Sequence, residues 1–411
     1  MRGKIFSIGL AAALAIFAVT QLVTSTWAAT QEKVLHNFKN NTKQGNTLYA
    51  GLIFDAAGNL YGTTASGGDY GVGTVFELMP KAGGGWTETV LHNFKNNGRD
   101  GEGPYAGLIF DAAGNLYGTT ASGGNYGVGT VFELTPKAGG GWTEKVLHNF
   151  ENSGKKGNTP YAGLIFDAAG NLYGTTVSGG YYGVGTVFEL TPQAGGGWTE
   201  TVLHNFKNNT EQGNTLYGGL IFDGAGNLYG TTVNGGYYGV GTVFKLTPKA
   251  GGGWTETVLH NFDDNGTDGY SPYASLIFDA AGNLYGATTE GGNGYGTVFE
   301  LTPKAGGGWT EKVLYRFNGL DGLEPHASLI FDAAGNLYGT TVAGGTQGYG
   351  TVFELTPKAG GGWTEQVLYN FNGRDGSIPY ASLIFDAAGN LYGTTTSGGH
   401  YGVGTVFEII P

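Results

Sequence analysis

Cysteine is absent from the 411 residues, and methionine occurs only twice. No disulfide can staple this chain and no N-terminal Cys can carry a lipid, so strand pairing and packing must hold the fold. Charge is also scarce: Asp, Glu, Lys and Arg make up 13% of the residues, so Asn, Thr, Ser, Gly and Tyr must cover much of the surface. The formal charge is −12, or −14 once Arg2 and Lys4 of a leader are subtracted. That balance disfavours nucleic acid and anionic membranes as partners. Long hydrophobic runs are missing beyond the first 28 residues, so no later stretch is expected to span a bilayer. Within the repeats helical runs are missing too, because Gly or Asn interrupts each apolar run before three turns can form. The 81 glycines show no G-X-Y period, which excludes collagen. Gly-x-Ser-x-Gly and His-Glu-x-x-His do not occur. Gly-rich runs such as 83–85 lack the Lys-Ser/Thr of a phosphate loop.

What is present is repetition. Residues 52–64, LIFDAAGNLYGTT, recur almost unchanged around Asp111, Asp167, Asp223, Asp279, Asp332 and Asp386. From Asp55 onward the spacing is 56 residues four times, then 53 and 54. Such a period marks a solenoid, propeller or array. The motif reads as a β-hairpin: two apolar β-forming runs flank a turn in which Asp55 caps backbone N–H groups and Gly58 supplies a positive φ.

Around this hairpin each unit offers four strands: 52–55, 59–64, 73–78 (GTVFEL) and 86–94 (WTETVLHNF), the last two joined by PKAGGG. Four short antiparallel strands in about 55 residues make one propeller blade. The residue before each LIF is Gly51, Gly107, Gly163, Gly219, Ser275, Ser328 or Ser382, small enough for strands converging on a central axis. At the ends, residues 32–38 form a fourth strand without its first three, and 404–410 form a third strand without its fourth. Pairing them would complete a seventh blade and remove two exposed edges. The expected fold is an all-β, seven-bladed β-propeller with four antiparallel strands per blade, closed by its terminal strands. It spans 29–411 as a single domain, and a monomer is expected. Residues 1–28 read as a secretory signal peptide, with a basic start, an apolar stretch at 5–19 and small residues at 26 and 28. They imply a secreted, extracellular or periplasmic location.

The double Gly at 67–68 followed by TVFEL and Trp86 resembles kelch repeats, and DAAGNLYG resembles the turn of NHL repeats. The whole unit is most similar to the GloVer tandem repeats of exported bacterial proteins, over residues 32–411. That resemblance implies a propeller-like secreted protein and no assigned activity. Some members carry a C-terminal sorting anchor; here the last strand is followed directly by Pro411.

The repeated residues read as structural. The Asp55 series are turn caps. Glu77 and its equivalents, replaced once by Lys245, read as cross-strand charge partners. His36, His92, His148, His204 and His260 share one position on the fourth strand, too far apart on different blades to share a metal, and Tyr315 and Tyr369 replace them in two units. The NGRDG, NGTDG, NGLDG and NGRDG loops at 97–101, 265–269, 318–322 and 372–376 lack the distal Glu of a calcium loop. No metal, no cofactor and no catalytic residue is therefore assigned.

Variation among units falls on the fourth-to-first and second-to-third loops, which project from one face. Tyr70, Tyr126, Tyr181, Tyr182, Tyr237, Tyr238, His400 and Tyr401 stand there as candidate ligand-binding residues. Tyr offers a flat apolar body and one hydroxyl, suited to sugar rings or peptide surfaces. A second series, Tyr49, Tyr105, Tyr161, Tyr217, Tyr273, His326 and Tyr380, ends the other variable loop and suits packing and binding equally. The expected function is a non-enzymatic binding or structural module that recognises a glycan or another extracellular polymer, or an extracellular protein. The rival is an extracellular polysaccharide lyase or hydrolase with its site at the propeller mouth, where His326 and His400 are the candidate non-repeated groups. An inert spacer is the third option, favoured if the Tyr70 series is buried.

Overall fold

The computed structural model describes residues 31–39, 41 and 43–411. The leader read at 1–28 lies outside the described residues. Seven four-stranded antiparallel sheets are present. In the first unit the strands are Ile53–Phe54, Leu60–Thr64, Thr74–Pro80 and Trp86–Asn93, counted from the axis outward. Asp55 Oδ1 accepts the backbone N–H groups of Ala57 (2.9 Å) and Asn59 (2.8 Å), and Gly58 sits at φ 84°, so the hairpin closes as its residues require. The innermost strand is only two residues long; residues 52 and 55 fall outside the ladder.

The last blade is built from both ends of the described chain. Gln31–Asn37 pairs antiparallel with Thr405–Ile410, with Gln31 opposite Ile410 and Asn37 opposite Thr405. Apolar burial is concentrated between blades: among the described residues there are seven clusters, each uniting one face of a sheet with the facing side of the next. At the closing junction, Phe38, Tyr392 and Val406 pack with Leu52, Leu60, Phe76 and Leu78. The two phenylalanine rings meet edge-on at 5.1 Å. Gly62 makes room for this packing, since a Cβ there would lie 2.7 Å from the Phe76 ring. On the outermost strand a β-bulge at Leu91 adds one residue, so Leu91 packs on the inter-blade cluster while His92 lies opposite Val75.

Two features differ from the reading of the sequence. A short extra ladder, Gly45–Asn46 with Ser66–Gly67, ties the two variable loops of the first unit together, and four further units repeat it. Gly45 permits it, because a Cβ would lie 1.7 Å from Thr64 Oγ1. Second, Glu77 and its equivalents do not serve chiefly as charge partners. Glu77 accepts a hydrogen bond from the Tyr61 hydroxyl (2.7 Å), which also donates to Asp55 Oδ2 (3.2 Å). Only some units add a cation, such as Lys33 at 3.3 Å from Glu408. Where Lys245 stands in place of Glu, its ammonium lies 5.4 Å from the centre of the Tyr229 ring and the hydroxyl keeps Asp223 as its acceptor (3.0 Å).

Candidate ligand-binding face

The two variable loops do share one face, and the side chains on it are held in two tiers. The outer tier is the tip of the second-to-third loop. Gly68 and Gly71, both at positive φ, close a tight turn through the hydrogen bond from Gly71 N to Gly68 O. The last residue of the fourth strand, Asn93, accepts from the backbone N–H of Asp69 through its side chain (2.9 Å). Asn149, Asn205, Asn261, Asn370 and Asn37 do the same for residues 125, 181, 237, 346 and 400. Tyrosines on a turn so pinned have nowhere to fold inward. Tyr70, Tyr126, Tyr181, Tyr182, Tyr237, Tyr238 and Tyr401 are all between 46% and 68% exposed. His400 is exposed and packs edge-on against Tyr401. Lys95, Lys207 and Lys39 each rest about 5.5 Å from the centre of a tyrosine ring in this tier: Tyr70, Tyr182 and Tyr401 respectively. Tyr295 and Tyr349 are exposed on the same loops of the two shorter units. Sequence reasoning missed them because they sit one or two positions off the register of the other tyrosines.

The inner tier surrounds the axis. Tyr49, Tyr105, Tyr161, Tyr217, Tyr273, His326 and Tyr380 form a closed ring of aromatic contacts, with neighbouring centroids 4.4–5.4 Å apart. They line a cavity of about 330 Å³ with Ala and Gly or Ser beneath them. That volume is within the usual range for small-ligand clefts, roughly 300–1,000 Å³. Backbone strain aims these rings. Two residues before each ring member the chain turns left-handed: Thr47, Thr159, Thr215, Ser271, Glu324 and Ile378 have φ between 56° and 65°, and Gly103 fills the seventh place. A non-glycine residue in that region costs roughly 1 kcal/mol or more, and strain of this kind gathers at functional sites. Inter-blade bonds offset it: Thr63 Oγ1 donates to Ala106 O (3.0 Å), and Thr394 Oγ1 to Ala50 O (3.0 Å) across the closing junction.

The cavity is electrically quiet. Burial holds the His326 imidazole down to about 4, so it is neutral at physiological pH. Burial, followed by crowding from neighbouring phenols, raises the hydroxyls of Tyr49, Tyr161 and Tyr273, and raises that of Tyr380 furthest. His400 does not line this cavity, so the two non-repeated histidines are not brought together there.

A third arrangement lies at the blade junctions, away from the axis. The loop residue eight positions after each fourth-strand His, and a Glu of the next blade's fourth strand, meet that His. His36 Nε2 is 3.4 Å from Glu88 and His148 Nε2 is 3.2 Å from Glu200. His92 Nε2 is 3.1 Å from Asp100 of the NGRDG loop, with Glu144 beside both. Different blades keep the histidines apart, but Asp100 of a loop read from sequence as a turn, and fourth-strand glutamates that the sequence reading did not single out, converge on them.

A closed seven-bladed ring with a loop-built aromatic mouth defines a β-propeller repeat protein. The chain belongs to the Gloeobacter/Verrucomicrobia repeat family, whose model matches residues 15–216 and 182–407. No curated protein matches it in sequence. Among solved structures it is similar to an ancestral GH74 enzyme, at 12% identity and a TM-score of 0.56 over 92% of this chain; it spans about half (51%) of that chain. It is also similar to a putative oxidoreductase (glucose dehydrogenase) from Thermus thermophilus, at 15% identity and a TM-score of 0.44, covering 93% of this chain and 100% of the other. A luciferin-regenerating enzyme matches at 14% identity and a TM-score of 0.43, covering 89% and 92%. At these identities the likeness concerns the fold alone.

Proposed function

We propose that this propeller is a secreted binding module for an uncharged carbohydrate polymer, which it takes on the tyrosine-bearing face. The observation that carries the reading is the ring of six tyrosines and neutral His326 around the axial cavity. Aromatic faces suit the C–H faces of sugar rings, and phenol hydroxyls suit their hydroxyls. A cavity without charge at neutral pH favours a neutral polyhydroxylated ligand over an ionic one. The exposed outer tyrosines extend the surface over several residues of a polymer. Among the described residues, the cavity lining contains no carboxylate, whereas glycoside hydrolysis ordinarily uses a pair. That supports binding over turnover. Export through the segment at 1–28 would place the face where such polymers occur.

The test is a glycan array with the purified chain, followed by affinity measurements on the strongest hit. Tyr161→Ala/Tyr217→Ala and Tyr182→Ala/Tyr238→Ala should each weaken binding at least tenfold, equivalent to about 1.4 kcal/mol. The second pair, being exposed, should leave the melting temperature unchanged. An array without a hit, or unaltered affinity in both double variants, overturns the proposal.

A further inference from the structure

The seven blade junctions repeat one polar arrangement with different occupants. A fourth-strand His or Tyr and a Glu of the next blade face a residue of the fourth-to-first loop. In the five longer loops that residue is Gln44, Asp100, Lys156, Gln212 or Asp268, always followed by Gly. Gln44 donates its amide to Glu88. Lys156 brings its ammonium to 3.3 Å from Glu200, whose side chain is fully buried. In the two shorter loops Asp321 and Asp375 take the loop place, and each accepts a hydrogen bond from the tyrosine of the fourth strand, Tyr315 and Tyr369 (2.5 Å each). At Asp100 and Asp268 the loop supplies a second carboxylate instead of a donor. His92, Asp100 and Glu144 then offer one nitrogen and two carboxylate oxygens within 4.8 Å of one another, and His260, Asp268 and Glu311 repeat the set.

Among the described residues, no ammonium or guanidinium forms an ion pair within these two pockets. Glu144 Oε1 and Glu311 Oε1 are shut off from solvent without a hydrogen-bond partner. Of the cations beside them, Lys95 rests on the Tyr70 ring, and the Arg316 guanidinium donates twice to Thr267 O. Each Asp is positioned by its own loop, Asp100 by the N–H groups of Lys95 and Gly101, Asp268 by those of Asp263 and Gly269. The ammonium of Lys156 shows what the same geometry accepts when the chain provides it, namely a positive charge against the Glu that the His also touches.

We propose that His92–Asp100–Glu144 and His260–Asp268–Glu311 are two equivalent sites for a divalent transition-metal ion of the zinc class, each bridging two adjacent blades. One imidazole and two carboxylates, with water completing the shell, suit Zn²⁺; imidazole disfavours Ca²⁺ and Mg²⁺. The ions tie neighbouring blades together at the second-to-third and fifth-to-sixth blade junctions counted from the N-terminal strand, which is itself the outer strand of the closing blade.

The test uses the untagged full chain, stripped with EDTA, dialysed against ZnCl₂ and read by elemental analysis and calorimetry. Two equivalents of zinc are expected. Asp100→Lys, which copies Lys156, should leave one equivalent, and Asp100→Gln/Asp268→Gln, which copies Gln44 and Gln212, should leave none. Both variants replace Asp with a residue the propeller already carries at that place, and circular dichroism checks that they fold. Failure to take up zinc, or two equivalents retained in the double variant, overturns the proposal.

Discussion

At the scale of single residues, the repeated Asp of the hairpin contributes more than a turn signal. Asp167 Oδ1 accepts from the N–H groups of Ala169 and Asn171, and Oδ2 from the Asn171 amide and the Tyr173 hydroxyl. Burial pushes its pKa up, but these bonds together outweigh burial and hold the carboxyl below its ordinary range. Asp167→Ala should cost about 2 kcal/mol, since it removes a cap and leaves a buried phenol with one acceptor fewer. Lys245→Glu should change stability by less than about 0.5 kcal/mol, because the new Glu regains the Tyr229 hydroxyl while the cation–π contact is lost. Chemical denaturation of both variants checks the contrast; equal losses would contradict it. The turn role of Asp55 was legible from local chemistry. The partner of Glu77 was not, because Tyr61 lies sixteen residues away and reaches it only once the second and third strands are paired.

Among elements, the N-terminal strand matters most. It lies within a sheet made otherwise of the last unit, and Leu35 and Phe38 from it and its exit enter the core between the last and first blades. Deleting residues 1–38 removes a fully buried Phe, a largely buried Leu and one complete ladder. Each such side chain is worth about 1.5–3 kcal/mol, so a loss of roughly 4 kcal/mol or more and aggregation through the bared edge of Thr405–Ile410 are expected. Thermal melting and light scattering measure both; a truncated chain that melts like the intact one would show that the ring does not need its closing strand. The unpaired strand at each end of the repeats made this element readable in advance. The two-residue ladders between the variable loops were not readable, since Gly45–Asn46 and Ser66–Gly67 have no β-forming side chains and pair only because the loops are brought together.

For the whole molecule, the junctions set the response to pH. Burial, with Asp375 beside it, pushes Glu32 up to about 7, and Tyr369 shares that junction. Burial likewise brings Glu256 to about 7 against the opposing effects of Gln212 and Lys207, and Glu365 to about 7 with Asp321 adding to burial and Tyr315 opposing it. Between about pH 4.5 and 7 the folded chain therefore retains protons that the unfolded chain has released, and stability falls as pH rises through that window. His204 and His326, held down to about 4, act in the opposite sense between about 4 and 6.5. The raised glutamates outnumber them, so in EDTA the melting temperature should be higher at pH 5 than at pH 7.5. Glu32→Gln/Glu365→Gln should raise the value at pH 7.5 and flatten the profile. A melting temperature that climbs from pH 5 to 7.5 would show that the junction acids are not protonated in the fold. Because His326 is neutral throughout this range, ligand binding at the axial ring should not vary between pH 5.5 and 8.

The sequence by itself determined the blade, its hairpin, the number of units and the closure by the terminal strands. Each of these follows from short-range turn chemistry and from a period repeated along the chain. It also separated the variable loops from the constant ones, because strands that alternate in direction sort loops onto two faces. Only the tertiary structure decided which side chains meet. The axial ring gathers residues 53 to 56 positions apart, and each junction pocket combines a His or Tyr and a loop residue of one blade with a Glu of the next. Contacts of this kind are fixed by the rotation that packs one sheet on its neighbour, and nothing in the local sequence of a single unit encodes that rotation.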